Sequence, residues 1–467
     1  MRKSRTILEN VFVTNYAAEG KAVARVNGKV LFVEGAVPGD IADVVLSKSR
    51  KDWAEGKVVA IKEYSKERVQ PFCIHFGVCG GCKWQMLPYN RQLGYKQQEC
   101  IDAFKRIGKM DEIPVLPILG SADTIHYRNK LEFAFSNRKY LTEAEFGQLQ
   151  NNKWPGGALG YHVPRLYDKV IDISECWLMD DINNLIRNSL RDYALKNDYS
   201  FYDIKEHKGW LRNIIIRQSS IGELMVNVML GYDEPAPRQK LCDYLLKTVP
   251  SITTLLYTIN SKWNDTIYDI ETNIVFGKGF IMEKLGDFDF KISPKSFFQT
   301  NTKQAERLYT AVKKFASLTG TEIVYDLYCG TGSIGIFLSK NAKSVIGVDV
   351  TDDAIQDARE NATINNIPHA SFFSGDVIKI CDDNFFKQHG KPDVVIVDPP
   401  RAGLHEKLVK KILEIAPSRM VYVSCNVATQ ARDILLLGEK YQVVNLQPVD
   451  MFPHTHHIEC VAALKLK

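Results

Sequence analysis

The sequence predicts a multidomain α/β protein built from three consecutive parts, and three observations lead to that prediction. The chain has 467 residues, which is too long for one ordinary hydrophobic core. Residues 1–63 consist of short, glycine-punctuated runs of β-forming residues, whereas the last third alternates apolar strands with helical segments. A mixed region that begins with closely spaced cysteines separates them.

Composition narrows the class of protein before any motif is considered. Hydrophobic residues make up 45% and charged residues 25%, as in ordinary globular proteins. Neither a membrane-length apolar run of about 18 residues nor a signal-type segment is present, so we expect a cytoplasmic protein, with no obligate protein partner evident. The net charge of +5 is compatible with a nucleic-acid partner but is weak evidence for one.

Residues 1–63 predict a small all-β barrel of the OB-like type. Apolar residues alternate with polar ones in "KAVARVNGKVLFVEGAVPGD", and "NGK" and "PGD" are turn signals. Lys48, Arg50 and Lys51 share one loop of this barrel. They are interpreted first as a solvated loop and second as a contact for RNA phosphates.

Residues 64–290 predict a central α+β domain. "YNRQLGYKQQECIDAFKRIG" has the spacing of an amphipathic helix, and "KLEFAFS", "NIIIRQ" and "ELMVNVML" are strand candidates. In "HYRNKLEF", the aromatic residues Tyr127 and Phe133 are interleaved with Arg128 and Lys130. This pattern fits either an RNA-contacting strand or an ordinary strand with one charged face.

Residues 291–467 predict a doubly wound, mostly parallel sheet, because strand and helix patterns alternate four times. Ligands of such sheets bind beyond the carboxyl ends of the strands. Asp326, Asp349, Asp398 and Cys425 each stand at or near such an end. These four positions are therefore expected to share one rim.

The segment "DLYCGTGSIG" has the glycine spacing of a cofactor-binding loop between a strand and a helix. A lone glycine loop is weak evidence, but Asp349 closes the next strand, where a carboxylate can accept hydrogen bonds from ribose hydroxyls. NAD and S-adenosylmethionine both use that arrangement. Asp376 suits an adenine edge, and "VDPPR", which includes Asp398, suits the pinning of a planar base rather than hydride transfer. S-adenosylmethionine is therefore preferred over a dinucleotide.

With a methyl donor at the rim, Cys425 acquires a chemical role. Carbon 5 of uracil is a poor nucleophile until a thiolate adds to carbon 6, and a separate base must later remove the proton from carbon 5. Glu459, just before the apolar terminal strand, is the candidate base. A core thiol is the alternative reading of Cys425, and Cys329 and Cys460 are rival thiols that look structural.

The histidines of "HTHH" offer a second interpretation of the C-terminal segment. His454, His456 and His457 could suggest a metal site, but neither an acidic nor a cysteine pair lies nearby in the sequence. A supporting role for His457 beside Glu459 is preferred.

Three cysteines, Cys73, Cys79 and Cys82, are spaced C-x5-C-x2-C, a strong metal signal. A fourth ligand must come from elsewhere, and Cys176 is the candidate, with Cys100 as its competitor. Four thiolates suit an iron–sulfur cluster or zinc, and spacing alone does not choose between them.

Six motifs, in chain order, resemble the RNA uracil-5 methyltransferases, with the 23S ribosomal RNA branch the most similar: "FGVCGGC", "SFFQTN", "DLYCGTGSIG", "VDPPRAG", "VSCN" and "FPHTHHIE". The resemblance covers essentially the whole chain. It implies an N-terminal TRAM barrel that binds RNA, a cluster-bearing central domain and a Rossmann-like methyltransferase domain. It also implies methylation of uridine by S-adenosylmethionine, with Cys425 as nucleophile and Glu459 as proton acceptor.

The resemblance also assigns the ligand-binding residues. Those implied for S-adenosylmethionine are Gln299, Tyr328, Ser333, Asp349, Asp376 and Asp398, and those implied for a [4Fe–4S] cluster are Cys73, Cys79, Cys82 and Cys176. Two positions depart from the family pattern: Ser333 stands where many relatives have asparagine, and Asp349 where they often have glutamate. The tRNA branch typically lacks both barrel and cluster, so the resemblance favours a single-stranded or loop uridine of 23S ribosomal RNA.

Three other functions fit parts of the sequence. The same chemistry on a uridine of the tRNA T-loop is the first alternative. Methylation of an exocyclic nitrogen is the second, but it needs neither Cys425 nor Glu459, and Arg401 fills the position where such enzymes have an aromatic residue. A non-catalytic RNA-binding or iron–sulfur sensor is the third, and it would have no use for the complete rim.

Overall fold

The computed structural model of the protein describes residues 6–112, 114–147 and 156–467. Within residues 6–63, five strands close into a barrel in the order β1-β2-β3-β5-β4. They are β1 (Ile7–Tyr16), β2 (Ala22–Val26), β3 (Lys29–Glu34), β4 (Ile41–Ser49) and β5 (Trp53–Glu63). Their alternate residues fill the interior, with Val13, Ala24 and Val44 fully buried. The predicted N-terminal barrel is confirmed.

The central region begins with a long helix, α1 (Tyr89–Arg106), and continues into a sheet. The described residues place seven strands in this sheet, in the order β12-β11-β10-β9-β6-β7-β8. The elements after α1 are β6 (Lys130–Ser136), α2 (Glu143–Gly147), β7 (Ala158–Val163), β8 (Leu166–Asp172), α3 (Ile182–Lys196), β9 (Leu211–Gln218), β10 (Leu224–Leu230), α4 (Pro235–Thr248), β11 (Thr254–Ile259) and β12 (Thr272–Phe276). Pairing is antiparallel except between β10 and β11. The predicted mixed α+β character is confirmed.

Two aromatic residues considered for RNA stacking lie in the core of this sheet. Phe133 is fully buried and Tyr127 is 7% exposed. The hydroxyl of Tyr127 donates to the carbonyl of Pro453, 3.0 Å away. The interpretation of "HYRNKLEF" as an RNA-stacking strand is therefore wrong for both rings, which are needed to close the core.

Helix α1 packs against the C-terminal sheet, although its sequence position placed it with the central region. Cys100 and Phe104 on its inner face are fully buried in the same apolar cluster as Tyr422 and Cys460 of that sheet. The segment after α1 continues the contact, because Val115 and Leu119 bridge to Leu446 and Val449. Sequence position alone does not reveal which core an amphipathic helix joins.

Residues 281–467 are described throughout, and they open with a hairpin, β13 (Ile281–Leu285) and β14 (Phe288–Ile292). The elements that follow are α5 (Thr302–Ala316), β15 (Ile323–Leu327), α6 (Ser333–Leu338), β16 (Ser344–Asp349), α7 (Asp352–Ile364), β17 (Ala370–Ser374), α8 (Val377–Ile380), α9 (Asp383–His389), β18 (Val394–Val397), α10 (Glu406–Ile415), β19 (Arg419–Ser424), α11 (Val427–Leu437), β20 (Tyr441–Val449) and β21 (Glu459–Leu466). Seven of these strands form one sheet, in the order β17-β16-β15-β18-β19-β21-β20.

Strands β15 to β19 of this sheet are parallel, whereas β21 runs antiparallel to β19. The strand order reverses between β15 and β18, which is where a doubly wound sheet opens a crevice for ligands. Helices α5 and α11 start at asparagine caps, because the side chains of Asn301 and Asn426 accept from backbone N–H groups. The predicted doubly wound domain is confirmed, and no helix of the described residues is long and apolar enough to cross a membrane.

Candidate functional site

The glycine loop between β15 and α6 is the first wall of the site. Gly330 and Gly332 have φ values of 53° and 75°, a left-handed backbone that glycine adopts without strain. Asp326, fully buried at the end of β15, accepts from the N–H of Gly335 at 2.8 Å and fastens the loop to the strand. Burial raises the pKa of Asp326 to about 7.

Asp349 lies beside the glycine loop, at the end of β16. Its two carboxylate oxygens accept from the backbone N–H groups of Gly330 at 3.0 Å and Thr351 at 2.9 Å. These bonds hold the carboxylate in one orientation and leave further lone pairs free. The arrangement can therefore accept from vicinal hydroxyls of a ribose.

A cavity of about 800 Å³ opens over this rim and is large enough for a nucleoside cofactor. Five of the predicted cofactor residues line it: Gln299, Tyr328, Ser333, Asp349 and Asp398. Asp376 lies outside the lining: its carboxylate caps α8 by accepting from the N–H of Ile378, and its charge contributes to raising the pKa of Tyr328 nearby. The predicted set is thus brought together except at Asp376.

Cys425 and Glu459 meet at the next part of the rim. Strands β19 and β21 pair antiparallel with Ser424 opposite Cys460, which brings Cys425 and Glu459, one residue further along each strand, to the same edge of the sheet. Cys425 is half-buried, whereas Glu459 is 7% exposed. Asp398, half-buried at the end of β18, completes the group.

The surroundings of Cys425, Glu459 and Asp398 oppose ionisation of all three side chains. Burial and the charges of Glu459 and Asp398 raise the pKa of Cys425 to about 11, while Arg401 acts to lower it. Burial raises the pKa of Asp398 to about 7. Burial and the charge of Asp398 also raise the pKa of Glu459 well above its usual range. A carboxyl in this state retains a proton once it has accepted one.

Arg401, which follows the proline pair, reaches over this group. A guanidinium N–H lies 2.8 Å from Nδ1 of His457, and the guanidinium is close enough to Cys425 to act on the pKa of its thiol. The supporting role predicted for His457 beside Glu459 stays a prediction, since the contact found here is with Arg401. The sequence had singled out Arg401 only as an exception to the nitrogen-methyltransferase pattern, although an arginine directly after "DPP" at a rim is a usable signal.

The four predicted ligand cysteines are grouped in the central region. Cys73, Cys79 and Cys82 are half-buried and Cys176 is buried. Burial together with the charges of neighbouring thiols raises the pKa of each of Cys73, Cys79 and Cys82, to about 11 for Cys73. Within the described residues, no three His, Cys, Asp or Glu side chains are close enough together to hold one metal ion.

The alternative cysteines considered above, Cys100, Cys329 and Cys460, are all buried. Sγ of Cys100 lies 3.8 Å from Sγ of Cys460 inside the C-terminal core, so Cys100 is not placed to compete with Cys176. Cys329 is 7% exposed inside the glycine loop. In the described part of the chain, the histidines of "HTHH" likewise form no metal-binding group.

Two features of the site had no interpretable signal in the sequence. Tyr309, on the buried face of α5, lines the cavity and shares a 2.8 Å hydrogen bond between its hydroxyl and that of Ser333. Lys96 of α1 forms a fully buried ion pair with Asp450, at the start of the segment that carries His457. A tyrosine or lysine on an amphipathic helix is usually read as packing or surface charge.

Comparison with protein families supports two parts of this architecture. Residues 268–467 match the model of the tRNA (uracil-5-)-methyltransferase family. Residues 9–59 match the TRAM domain, over the strands of the barrel. The two matches cover the two ends of the chain.

Similar proteins extend over the whole chain. An uncharacterized RNA methyltransferase of Bacteroides thetaiotaomicron is 50% identical over 97% of this chain and 100% of its own length. One from Porphyromonas gingivalis is 46% identical over 97% of this chain and 98% of its own. The solved structure of Pyrococcus abyssi tRNA (uracil-54, C5)-methyltransferase, in complex with S-adenosyl-L-homocysteine, is 30% identical with a TM-score of 0.75, over 98% of this chain and 100% of that one.

Proposed function

The chain belongs to the tRNA (uracil-5-)-methyltransferase family and is an RNA methyltransferase, and from that premise we propose that it methylates carbon 5 of a uridine through a covalent bond to Cys425. The observation that carries this proposal is the β19–β21 pairing, which sets Cys425 beside Glu459 at the sheet edge where Asp398 lines the cavity. Nitrogen methylation would leave both residues without a task.

The proposed reaction uses each residue of the rim once. The thiolate of Cys425 adds to carbon 6 of the uracil, and the resulting enolate attacks the methyl group of the sulfonium through carbon 5, releasing S-adenosylhomocysteine. Glu459 then accepts the proton from carbon 5, and the electron pair of that C–H bond restores the double bond as the thiolate leaves. The raised pKa of Glu459 suits this acceptor role.

The cavity is the proposed site of the methyl donor. We assign Asp349 to the ribose hydroxyls, and Gln299, Tyr328, Ser333 and Asp398 to the remaining contacts along the wall. Asp376 is kept as a candidate for the adenine edge, because it lies near Tyr328. The complex of the Pyrococcus abyssi relative with S-adenosyl-L-homocysteine supports this use of the cavity.

The four grouped cysteines are the proposed ligands of a [4Fe–4S] cluster. Four thiolates suit either an iron–sulfur cluster or a zinc ion. The resemblance of the cysteine motif to that of the family favours the cluster. Bound there, a cluster would cross-link the loop of residues 73–82 to Cys176 and neutralise thiolates whose charges raise one another's pKa.

The proposed substrate is a uridine in a structured RNA, with 23S ribosomal RNA as the first candidate and tRNA as the second. The motif resemblance favours ribosomal RNA. The Pyrococcus abyssi tRNA enzyme, however, matches 98% of the chain, barrel included, so a barrel does not by itself exclude a tRNA substrate. We also propose the functional division into residues 1–63 for RNA binding, 64–290 for the cluster and 291–467 for methyl transfer.

Two substitutions test the covalent mechanism. Cys425→Ala is expected to abolish methyl transfer while S-adenosylhomocysteine still binds, and Cys242→Ala, in the apolar core of the central region, serves as the matched thiol control. Glu459→Gln is expected to accumulate a covalent protein–RNA adduct, because proton removal precedes thiol release. Methyl transfer by Cys425→Ala at the wild-type rate would disprove the mechanism.

The substrate is tested by mapping 5-methyluridine in ribosomal and transfer RNA from cells lacking the gene. Loss of one ribosomal 5-methyluridine, restored by the wild-type gene but not by Cys425→Ala, is the expected result. Loss confined to tRNA would establish the second candidate instead.

A further inference from the structure

Arg401 is fixed by hydrogen bonds both at its backbone carbonyl and at its guanidinium. Its backbone carbonyl accepts from Nδ2 of Asn426 at 3.1 Å and from Oγ1 of Thr429 at 3.2 Å, which fixes its main chain to the start of α11, next to Cys425. Its guanidinium is held from the opposite side by Nδ1 of His457, at 2.8 Å. An exposed arginine fixed only at its backbone keeps its rotamer freedom, so the contact with His457 is what orders the guanidinium.

The contact defines the state of the imidazole. A guanidinium has only N–H donors, so Nδ1 of His457 must be the acceptor and the ring proton is on Nε2. His457 is therefore neutral while the contact persists. Burial and the charge of Arg401 lower the pKa of His457 to about 4, which keeps it neutral at physiological pH.

The charges around Cys425 make the position of Arg401 important. Glu459 and Asp398 bring negative charge to the thiol, and Arg401 brings positive charge. Ionisation of Cys425 beside an ionised Glu459 or Asp398 adds like charge at short range in a partly buried site. A guanidinium held against the sulfur offsets that cost, whereas one that swings into solvent does not.

We propose that His457 is a positioning residue: its Nδ1 holds the guanidinium of Arg401 against Cys425, so that the thiolate forms there. The proposal rests on the proposed function of Cys425 as nucleophile. The titratable groups that face His457 are three cations, Lys83, Lys96 and Arg128, which cannot accept from Arg401, and the imidazole of His456, whose ring centroid is 4.1 Å from that of His457.

The test uses two isosteric substitutions in the full-length protein. Asparagine at position 457 keeps an acceptor oxygen near the place of Nδ1, whereas leucine has the same shape and no acceptor. The measurement is the pH dependence of alkylation of Cys425 by iodoacetamide without RNA, resolved from other cysteines by peptide mass spectrometry. His457→Leu is expected to raise the midpoint by about 1 pH unit, and His457→Asn to stay near wild type.

A double-mutant cycle keeps the proposal testable if His457→Leu perturbs the loop. Lysine at position 401 keeps the charge but lacks the fork that spans two partners. Arg401→Lys is expected to raise the midpoint, and adding His457→Leu to it should produce no further shift. Additive shifts, or equal shifts for His457→Leu and His457→Asn, would overturn the proposal.

Alkylation does not depend on methyl transfer, so the two proposals fail separately. If Cys425→Ala remains active, the proposed function fails whatever the midpoints are. If that variant is inactive but the wild-type and His457→Leu midpoints coincide, only the role of His457 fails. RNA affinity should be equal in the wild type, His457→Leu and His457→Asn. A weakened affinity confined to His457→Leu would point to a structural role and overturn the proposal.

Discussion

Nζ of Lys96 lies 2.6 Å from Oδ1 of Asp450, and both side chains are fully buried. The same carboxylate accepts from the hydroxyl of Tyr89 at 2.8 Å and from the backbone N–H of Phe452 at 3.0 Å. This network joins α1 to residues 450–458, the segment that leads to Glu459. The position of the proposed base therefore depends on a charge pair more than 350 residues apart in the chain.

Removal of one partner of this pair leaves a buried charge uncompensated. Lys96→Met is expected to lower the free energy of unfolding by about 3–5 kcal/mol, because Asp450 then lacks its counter-ion. The measurement is thermal and urea denaturation. Lys303→Met, which breaks the exposed pair with Asp123, is the control and should change stability little. Equal losses of unfolding free energy in the two variants would show that the buried pair stabilises the fold no more than an exposed pair does.

The sequence predicted the rim because of a general property of parallel sheets. Asp326, Asp349, Asp398 and Cys425 each stand at or near the carboxyl end of a buried strand, and the carboxyl ends of parallel strands meet at one edge. The sequence could not predict the buried ion pair between Lys96 and Asp450, because that pair forms only when α1 folds onto the C-terminal sheet. Charged residues on an amphipathic helix normally face solvent. The RNA-stacking interpretation of Tyr127 and Phe133 was wrong because aromatic residues in strands are common both in hydrophobic cores and on RNA-binding surfaces, and sequence alone does not separate the two.

The rate of methyl transfer is expected to rise with pH between about 6 and 9. Both Cys425 and Glu459 must be ionised to act, and both have raised pKa values, so the ionised fraction of each grows as the pH rises. The measurement is a single-turnover rate at saturating RNA and methyl donor. A rate that is flat or falls over this interval would contradict the assigned protonation states.

Asp349→Asn is expected to weaken binding of S-adenosylhomocysteine by about 10- to 100-fold. An amide keeps the shape of the side chain but removes charge-assisted acceptance from the ribose hydroxyls, which contributes about 1.5–3 kcal/mol. Asp353→Asn, at an exposed position of the cavity wall, is the matched control and should bind nearly as wild type. Calorimetry on the RNA-free protein measures both. Equal affinities for the wild type and Asp349→Asn would exclude a ribose contact.

Ser333 stands where many relatives have asparagine. The substitution Ser333→Ala tests whether its hydroxyl binds the cofactor or stabilises the core. Its oxygen already shares a hydrogen bond with Tyr309, which is buried, so removal leaves the phenol without that partner. We expect a loss of stability of about 1–3 kcal/mol. The affinity for S-adenosylhomocysteine, measured by calorimetry, should fall less than in Asp349→Asn. A larger loss of affinity than that of Asp349→Asn would make Ser333 a principal cofactor contact.

The protein purified without oxygen is expected to contain four iron and four sulfide per chain. Burial and the mutual proximity of Cys73, Cys79 and Cys82 raise their pKa values, so four thiolates can coexist only if bound cations offset their charge. Cys176→Ser should lose the iron and the visible absorbance, and Cys329→Ser, outside the group, should keep both. Chelation should lower the melting temperature of the wild type, because residues 73–82 are then no longer cross-linked to Cys176. One zinc per chain and a colourless protein would refute the cluster.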